Sequence, residues 1–254
     1  MSYTIVIPSR YGSSRLPGKP LMDIAGKPMV QHVWERAKQS NATRVIIATD
    51  DEKIFSIASG FGAEVCMTAT THPSGTDRLQ QVAEQLELDE EHIVVNVQGD
   101  EPQIPTSVIE QVAANLALAS EASMATLCEP INTVSELLDP NAVKVVTDAM
   151  GMALYFSRAP VPFPRNCSLS EDAKLPTPHA WFRHIGIYAY RVKFLHQYVK
   201  WKPTPLEQLE HLEQLRAMHY GARIHVEQAR ETVPGGVDTQ QDLDTVRASF
   251  ETRN

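Results

Sequence analysis

Closely spaced cysteines are missing from this chain, and so is any excess of positive charge. Cys66, Cys128 and Cys167 are odd in number and widely separated, with no Cys-x-x-Cys pair. That excludes a disulfide framework and a cysteine zinc site, and suits free thiols in a reducing compartment. The nine histidines are scattered without metal-binding spacing. Lys and Arg number 23 against 31 Asp and Glu, a formal net charge of -8 over 254 residues. Nucleic acids and anionic membrane surfaces both require a broad basic face, so neither is an expected partner. No apolar run approaches the roughly 20 residues that span a bilayer. The start, running straight into Tyr3–Pro8, lacks the basic region and long apolar stretch of a signal peptide. These absences predict a cytoplasmic protein. Two phosphate-binding signatures are absent as well: Gly-x-x-x-x-Gly-Lys-Ser/Thr and Gly-x-Gly-x-x-Gly. There is no internal repeat and no low-complexity segment.

What is present is an ordinary globular composition, 43% hydrophobic and 21% charged, with length enough for a sizeable core. Short β-branched runs alternate with helical patterns. Strands are predicted at Ile5–Ile7, Val45–Ala48, Ala63–Met67 and Ile93–Val97. Helices are predicted from about Pro28 to Gln39, from Asp51 to Gly60, and from a cap at Thr76 or Asp77 to Leu88. This alternation predicts an α/β fold: a mostly parallel central sheet with helices on both faces, joined by right-handed crossovers. Later, Ala142–Asp148 and Met152–Ser157 predict two strands joined through Ala149–Gly151, and Ile185–Tyr190 another. Residues of about 142–200 thus form a smaller mixed subregion within a single 1–254 domain. Leucines at 206, 209, 212 and 215 predict the buried stripe of one amphipathic helix from Pro205 to Tyr220.

Against the acidic background one loop stands out. Ile7–Leu21, IPSRYGSSRLPGKPL, carries Arg10, Arg15 and Lys19 directly after a strand, with no carboxylate before Asp23. A local cationic loop on an acidic protein suits a small anion, and backbone amides at Gly12–Ser14 can wrap phosphate oxygens. Gln98-Gly-Asp100-Glu-Pro102 follows another strand, so its carboxylate meets the loop at the same sheet edge, where parallel sheets bind ligands. A carboxylate there can hold Mg²⁺ against a bound phosphate, and Asp238 is a second candidate, although Asp-Thr before a helix also suits an N-cap. Asp242 and Asp244 read as surface charge on the terminal helix.

Several further stretches carry a resemblance: His72-Pro-Ser-Gly-Thr-Asp-Arg78, Asn96-Val-Gln-Gly-Asp-Glu-Pro102, Asn141–Val146, Leu154–Ala159, Arg183–Tyr188, Pro205–Glu210 and Gly236-Val-Asp238. Together with Ile7–Pro20 they resemble the 3-deoxy-manno-octulosonate cytidylyltransferases, in the family's order over nearly the whole chain. The loop from Pro162 to Pro178 departs from that pattern and carries no function over.

The resemblance implies a Rossmann-like nucleotidyltransferase fold whose smaller subregion binds sugar or serves as a dimerisation arm. It implies transfer of CMP from CTP to 3-deoxy-D-manno-octulosonate, with release of pyrophosphate, for lipopolysaccharide biosynthesis. It implies Mg²⁺ as cofactor and a homodimer. By motif, Arg10, Ser13 and Lys19 hold the triphosphate, with Arg10, Lys19 and Asp100 as catalytic groups. Ser74, Gly75, Arg78 and Gln98 shape the cytidine pocket, and Asp100 and Asp238 bind the metal. Arg158, His184, Tyr188, Glu210, Glu213 and Gln214 are the sugar-pocket candidates, Arg158 as a planar fork for the sugar's carboxylate. The alternatives are a cytidylyltransferase for sialic acid or a methylerythritol phosphate, and a non-catalytic nucleotide-binding protein.

Overall fold

The computed structural model describes residues 2–12, 16–165, 175 and 181–251. Ser13, Arg15, Cys167 and most of the 162–178 loop lie outside the described residues. Strand β1 (Tyr3–Ser9) leads through the cationic loop and a single 3-10 turn, Lys19–Leu21, to the short hairpin β2 (Asp23–Ile24) and β3 (Lys27–Pro28). Next come α1 (Met29–Lys38), β4 (Arg44–Thr49), α2 (Glu52–Gly60), β5 (Glu64–Met67), α3 (Gly75–Gln85) and β6 (Ile93–Asn96). The second half runs α4 (Thr106–Leu118), β7 (Met124–Pro130), α5 (Val134–Leu138), β8 (Lys144–Thr147), β9 (Ala153–Ser157) and β10 (Phe182–Arg191). It closes with α6 (Val192–Tyr198), α7 (Pro205–Glu210), α8 (Gln214–His219), β11 (Ile224–Gln228) and α9 (Gln240–Glu251).

The main sheet has the order β11-β7-β10-β6-β1-β4-β5, with the β8–β9 hairpin attached to β10. Strand β1 pairs in parallel with β4 and β6, β4 with β5, and β11 with β7; β10 alone enters the main path antiparallel to both neighbours. Period-two alternation explains the double burial. Tyr3, Ile5 and Ile7 face a core with α1, α2 and α4, whereas Val6, Ile46 and Ala48 face one with α3, α6 and α8. The expected helix-covered, mostly parallel sheet is what forms.

Two local expectations fail. The cap of α3 is Ser74, whose side chain accepts from the Asp77 amide, and not Thr76 or Asp77. The segment from Pro205 to Tyr220 is two short helices, broken where His211 adopts a left-handed φ of 51°. Leu206 and Leu209 are 44% and 80% exposed, while Glu207 is buried. The leucine stripe is overridden by polar chemistry: Thr204 and Glu207 form a capping box, and Glu207 also pairs with Arg216, whose Nε lies 2.8 Å from Oε2. Leu212 and Leu215 do reach the core.

Candidate active site

The carboxyl ends of β1 and β6 are pressed together by the absence of one side chain. A Cβ at Gly99 would lie 2.9 Å from both the Pro8 carbonyl oxygen and Ser9 Oγ, closer than real Cβ contacts come. Gly99 therefore lets the Gln98–Glu101 turn sit against the start of the cationic loop. There Lys19 Nζ donates to Asp100 Oδ2 at 2.6 Å, to the Val237 carbonyl at 2.8 Å and to Asp238 Oδ1 at 3.3 Å. Three acceptors match the three protons of an ammonium, and two are carboxylates carried by different loops. The Val237 amide in turn donates to the Asp100 carbonyl, fixing the two loops to each other.

The cap question at Asp238 is settled by its neighbours. Thr239 Oγ1 accepts from the Asp242 amide, and Asp242 Oδ2 accepts from the Thr239 amide at 2.7 Å, so these two form the helix-start box. Asp242 is thus a capping residue and not mere surface charge. Asp238 turns its carboxylate to Lys19 instead. Two oxygen-bearing carboxylates that converge on one cation are a donor set that also fits a hard divalent ion. Arg10, just beyond β1, anchors its guanidinium to the His72 carbonyl at 3.0 Å.

A cavity of about 310 Å³ adjoins this edge, and Gln98 lines it from the same turn that presents Asp100. Alternate residues of β10, His184, Gly186, Tyr188 and Tyr190, form its wall, with Asn96 of β6 beside them. The β10–β7 register slips between Ile185 and Tyr188, a bulge of the kind that re-aims side chains beside a site. Thr126 fills that slip by donating to the Ile185 or Ile187 carbonyl, so its hydroxyl is left to accept from His184 Nε2 at 3.0 Å. Burial, reinforced by the Arg183 charge, pushes the His184 imidazole down to about 3, so it stays neutral. Burial likewise raises the Tyr188 hydroxyl well above its ordinary value.

Helices α3 and α8 supply the opposite wall. Thr76 Oγ1 donates to Glu213 Oε2 at 3.0 Å, and Gly75, Thr76, Glu213 and Gln214 all line the cavity. Burial raises the Glu213 carboxyl, partly offset by hydrogen bonds from Thr76 and Ser74.

Of the residues named from sequence, Gly75, Gln98, His184, Tyr188, Glu213 and Gln214 line one cavity, and Lys19, Asp100 and Asp238 form one cluster. Ser74 stands behind Gly75 as the cap of α3. Arg78 is not brought to the cavity. Its side chain is 0% exposed, with Nη2 donating to Asp50 Oδ2 at 2.7 Å and Nη1 to Thr68, so it braces α3 against the loop after β4. Arg158 and Glu210 engage each other outside the lining. Glu210 accepts from Ser157 Oγ and the Arg158 amide, while Arg158 Nε donates to the Glu210 carbonyl at 2.6 Å and Nη1 to the Pro140 carbonyl. Sequence reasoning did not single out Asn96, Thr76, Tyr190 and Tyr198, which also line the cavity. Asn96 and Thr76 lie inside the quoted motifs, yet strand and helix periodicity accounts for both.

Comparison with known proteins gives a consistent picture. A family model described as Cytidylyltransferase matches residues 4–224. The 3-deoxy-manno-octulosonate cytidylyltransferase of Hahella chejuensis is 58% identical over 247 residues, 97% of each chain. That of Pseudomonas syringae pv. tomato is 59% identical over 250 residues, 98% of each. Among solved structures, a CMP:2-keto-3-deoxy-manno-octonic acid synthetase complexed with CTP aligns with a TM-score of 0.88 at 42% identity, over 100% of this chain and 99% of that one. A 4-diphosphocytidyl-2C-methyl-D-erythritol synthase shares the fold at a TM-score of 0.64 and 13% identity, over 98% and 100% of the two chains. On identities above one half along nearly its full length, the chain belongs to the 3-deoxy-manno-octulosonate cytidylyltransferase family.

Proposed function

We propose that this protein transfers CMP from CTP to 3-deoxy-D-manno-octulosonate, releasing pyrophosphate and activating the sugar for lipopolysaccharide biosynthesis. The observation that carries the reading is the cluster of Lys19, Asp100 and Asp238 beside a cavity lined by Gln98, His184, Tyr188, Glu213 and Gln214. A bare nucleotide sensor needs the cationic loop but not two carboxylates converging on one cation position. Relatives at 58% and 59% identity bear the name of this activity.

In the reaction, the sugar's anomeric hydroxyl attacks the α-phosphorus in line with the departing pyrophosphate. One P–O bond forms as the α–β bridging bond breaks, and the hydroxyl gives up its proton. Arg10 and Lys19 neutralise the triphosphate and then the leaving pyrophosphate, whose charge grows through the transition state. Ser74, Gly75 and Gln98 shape the cytidine side, with Arg78 bracing α3 from behind. His184, Tyr188, Glu213 and Gln214 face the sugar, while Arg158 and Glu210 tie the end of β9 to α7 at the edge of that region. Asp100 and Asp238 would hold Mg²⁺, which when bound supplies charge neutralisation at the phosphoryl oxygens. Residues of about 142–200 serve as a sugar-binding and dimerisation subregion of a cytoplasmic homodimer. No helix among the described residues is long and apolar enough to cross a membrane. Pyrophosphate release from CTP in the presence of Mg²⁺ and a panel of sugar acids tests the reading: turnover with the eight-carbon acid supports it, and turnover only with another acid or with none overturns it.

A further inference from the structure

The segment that brings the chain from the sheet to Asp238 has little with which to fix itself. Pro234 has no N–H to donate, and Gly235 and Gly236 have no side chains. Its hold therefore comes from its two ends. At one end Val237 is fully buried and its amide donates to the Asp100 carbonyl at 2.9 Å, while the Asp238 amide donates to Asp242 Oδ2 at 3.0 Å. The other end is Val233, and a side chain holds it. The chain leaves the sheet after β11, where Gln228 pairs with Cys128 and the Ala229 amide donates to the Cys128 carbonyl. Further on, Glu129 Oε1 accepts from the Val233 amide at 2.7 Å. A carboxylate on β7 thus catches the strand's continuation after the backbone ladder has ended.

Glu129 is itself held. It lies directly opposite Arg183 in the antiparallel pairing of β7 with β10, and its Oε2 accepts from Arg183 Nη2. Arg183 Nε also lies 3.4 Å from Glu136 Oε1 on α5, and Nη2 lies 3.5 Å from the Val233 carbonyl. Glu129 is 9% exposed, so losing Arg183 would leave a covered carboxylate unpaired. The strands do not need this pair to stay together, because the β7–β10 ladder continues on either side of it. What the carboxylate adds is the tie to Val233.

We propose that Glu129, oriented by Arg183, is a positioning residue for the divalent cation: by fixing Val233 it sets where the 233–238 loop presents Asp238 opposite Asp100. It touches neither substrate nor metal. The inference rests on the cytidylyl-transfer reading, with Asp238 as a ligand of Mg²⁺, and extends it to how that ligand is held.

Glu129→Gln tests it. An amide keeps the shape but has a single acceptor oxygen, so one of the two donors, Val233 or Arg183, meets the NH₂ group instead. The loop then spends only part of its time in the binding arrangement, and the apparent affinity for the ion falls by that fraction. The first measurement is amide hydrogen exchange by NMR, without substrates or metal. Exchange at Val237 quickens about tenfold, the factor carried by one hydrogen bond, while the amides of β7 and β10 keep their protection. The second is pyrophosphate release with CTP and 3-deoxy-D-manno-octulosonate as free Mg²⁺ is varied. The Mg²⁺ concentration for half-maximal rate rises about tenfold, whereas kcat at saturating Mg²⁺ and KM for the sugar stay within about twofold of wild type. Excess ion rescues a displaced ligand but not a missing one, so Asp238→Asn shows no such recovery. Glu129→Asp, one methylene too short to reach Val233 from the same backbone, takes the place of Glu129→Gln if that variant does not fold. Unchanged exchange at Val237 or an unchanged Mg²⁺ requirement overturns the positioning role. Loss of protection throughout β7 and β10 overturns it too, since Glu129 would then serve the fold at large. A wild-type protein that releases no pyrophosphate overturns the cytidylyl-transfer reading, and the positioning role with it; a failure confined to the Glu129 variants leaves that reading standing.

Discussion

Lys19 Nζ and Asp100 Oδ2 lie 2.6 Å apart, so the cationic loop after β1 and the carboxylate turn after β6 meet in a single ion pair. Asp238, from a third loop, joins the same ammonium at 3.3 Å. Residues distant in sequence thus share one small volume, at the strand ends where parallel sheets place their ligands. Charge is the point of the arrangement. Anything that keeps the shapes but changes the charges should damage chemistry more than folding.

Asp100→Asn and Asp238→Asn keep shape and lose the negative charge. Each is expected to lower kcat by about a hundredfold or more, a loss typical of removing one preorganised electrostatic group. Circular dichroism should match wild type, and excess Mg²⁺ should recover little of the lost rate. The cap of α9 belongs to Thr239 and Asp242, so Asp238→Asn should leave the start of that helix intact. Near-normal turnover in both variants would return these carboxylates to a purely structural role.

Lys19→Ala removes the cation that Asp100 and Asp238 share. Two effects are expected together. Without Mg²⁺ the melting temperature falls, because two carboxylates are left facing each other, and Mg²⁺ raises it again. With substrates, kcat falls more than KM for CTP rises, since the lost contact strengthens as pyrophosphate departs. A raised KM for CTP with kcat unchanged would assign Lys19 to ground-state binding alone.

Arg158 donates to two backbone carbonyls, those of Glu210 and Pro140, and so acts on the sugar's surroundings by holding the end of β9 against α7. Arg158→Leu is expected to raise KM for the sugar and to lower the melting temperature as well, with KM for CTP nearly unchanged. Arg158→Lys restores only part, because a point charge cannot reproduce the fork. A residue contacting only the sugar's carboxylate would change the sugar KM and leave the melting temperature at its wild-type value.

The neutral His184 gives a pH signature. Its folded value is about 3 against an ordinary 6.5, so above pH 6.5 neither the folded nor the unfolded state carries the proton. Between pH 6.5 and about 3 the unfolded state takes the proton first, and stability is lost as pH falls through that window. His184→Asn should therefore show a shallower fall in melting temperature from pH 6.5 to 4 than wild type does. Equal slopes would contradict the buried neutral imidazole.

Much of this was legible in the sequence for a simple reason: short β-branched runs alternating with helical patterns leave few ways to pack, and β1, β4, β5 and β6 form close to where periodicity places them. The cationic loop and Asp100 were legible because charge that follows directly on a buried strand has only the sheet edge to occupy. The antiparallel place of β10 was not, since pairing direction depends on the path between strands and not on the strand's own residues. The 205–220 helix misled because leucine spacing cannot report Glu207 satisfying both a capping box and Arg216 from a buried position. Arg78 is a different case. Its motif implies the cytidine side, while its buried pairing with Asp50 from another loop is a long-range contact that sequence spacing does not report. Asn96 reads as one more strand residue until its cross-strand neighbour Tyr188 is known.

The most direct measurement is initial-rate pyrophosphate release from purified protein with CTP and Mg²⁺, comparing 3-deoxy-D-manno-octulosonate with sialic acid and a methylerythritol phosphate. Rapid turnover with the first, and little with the others, is the expected result. Turnover with another acceptor in its place, or CTP binding without any release of pyrophosphate, would contradict the assignment.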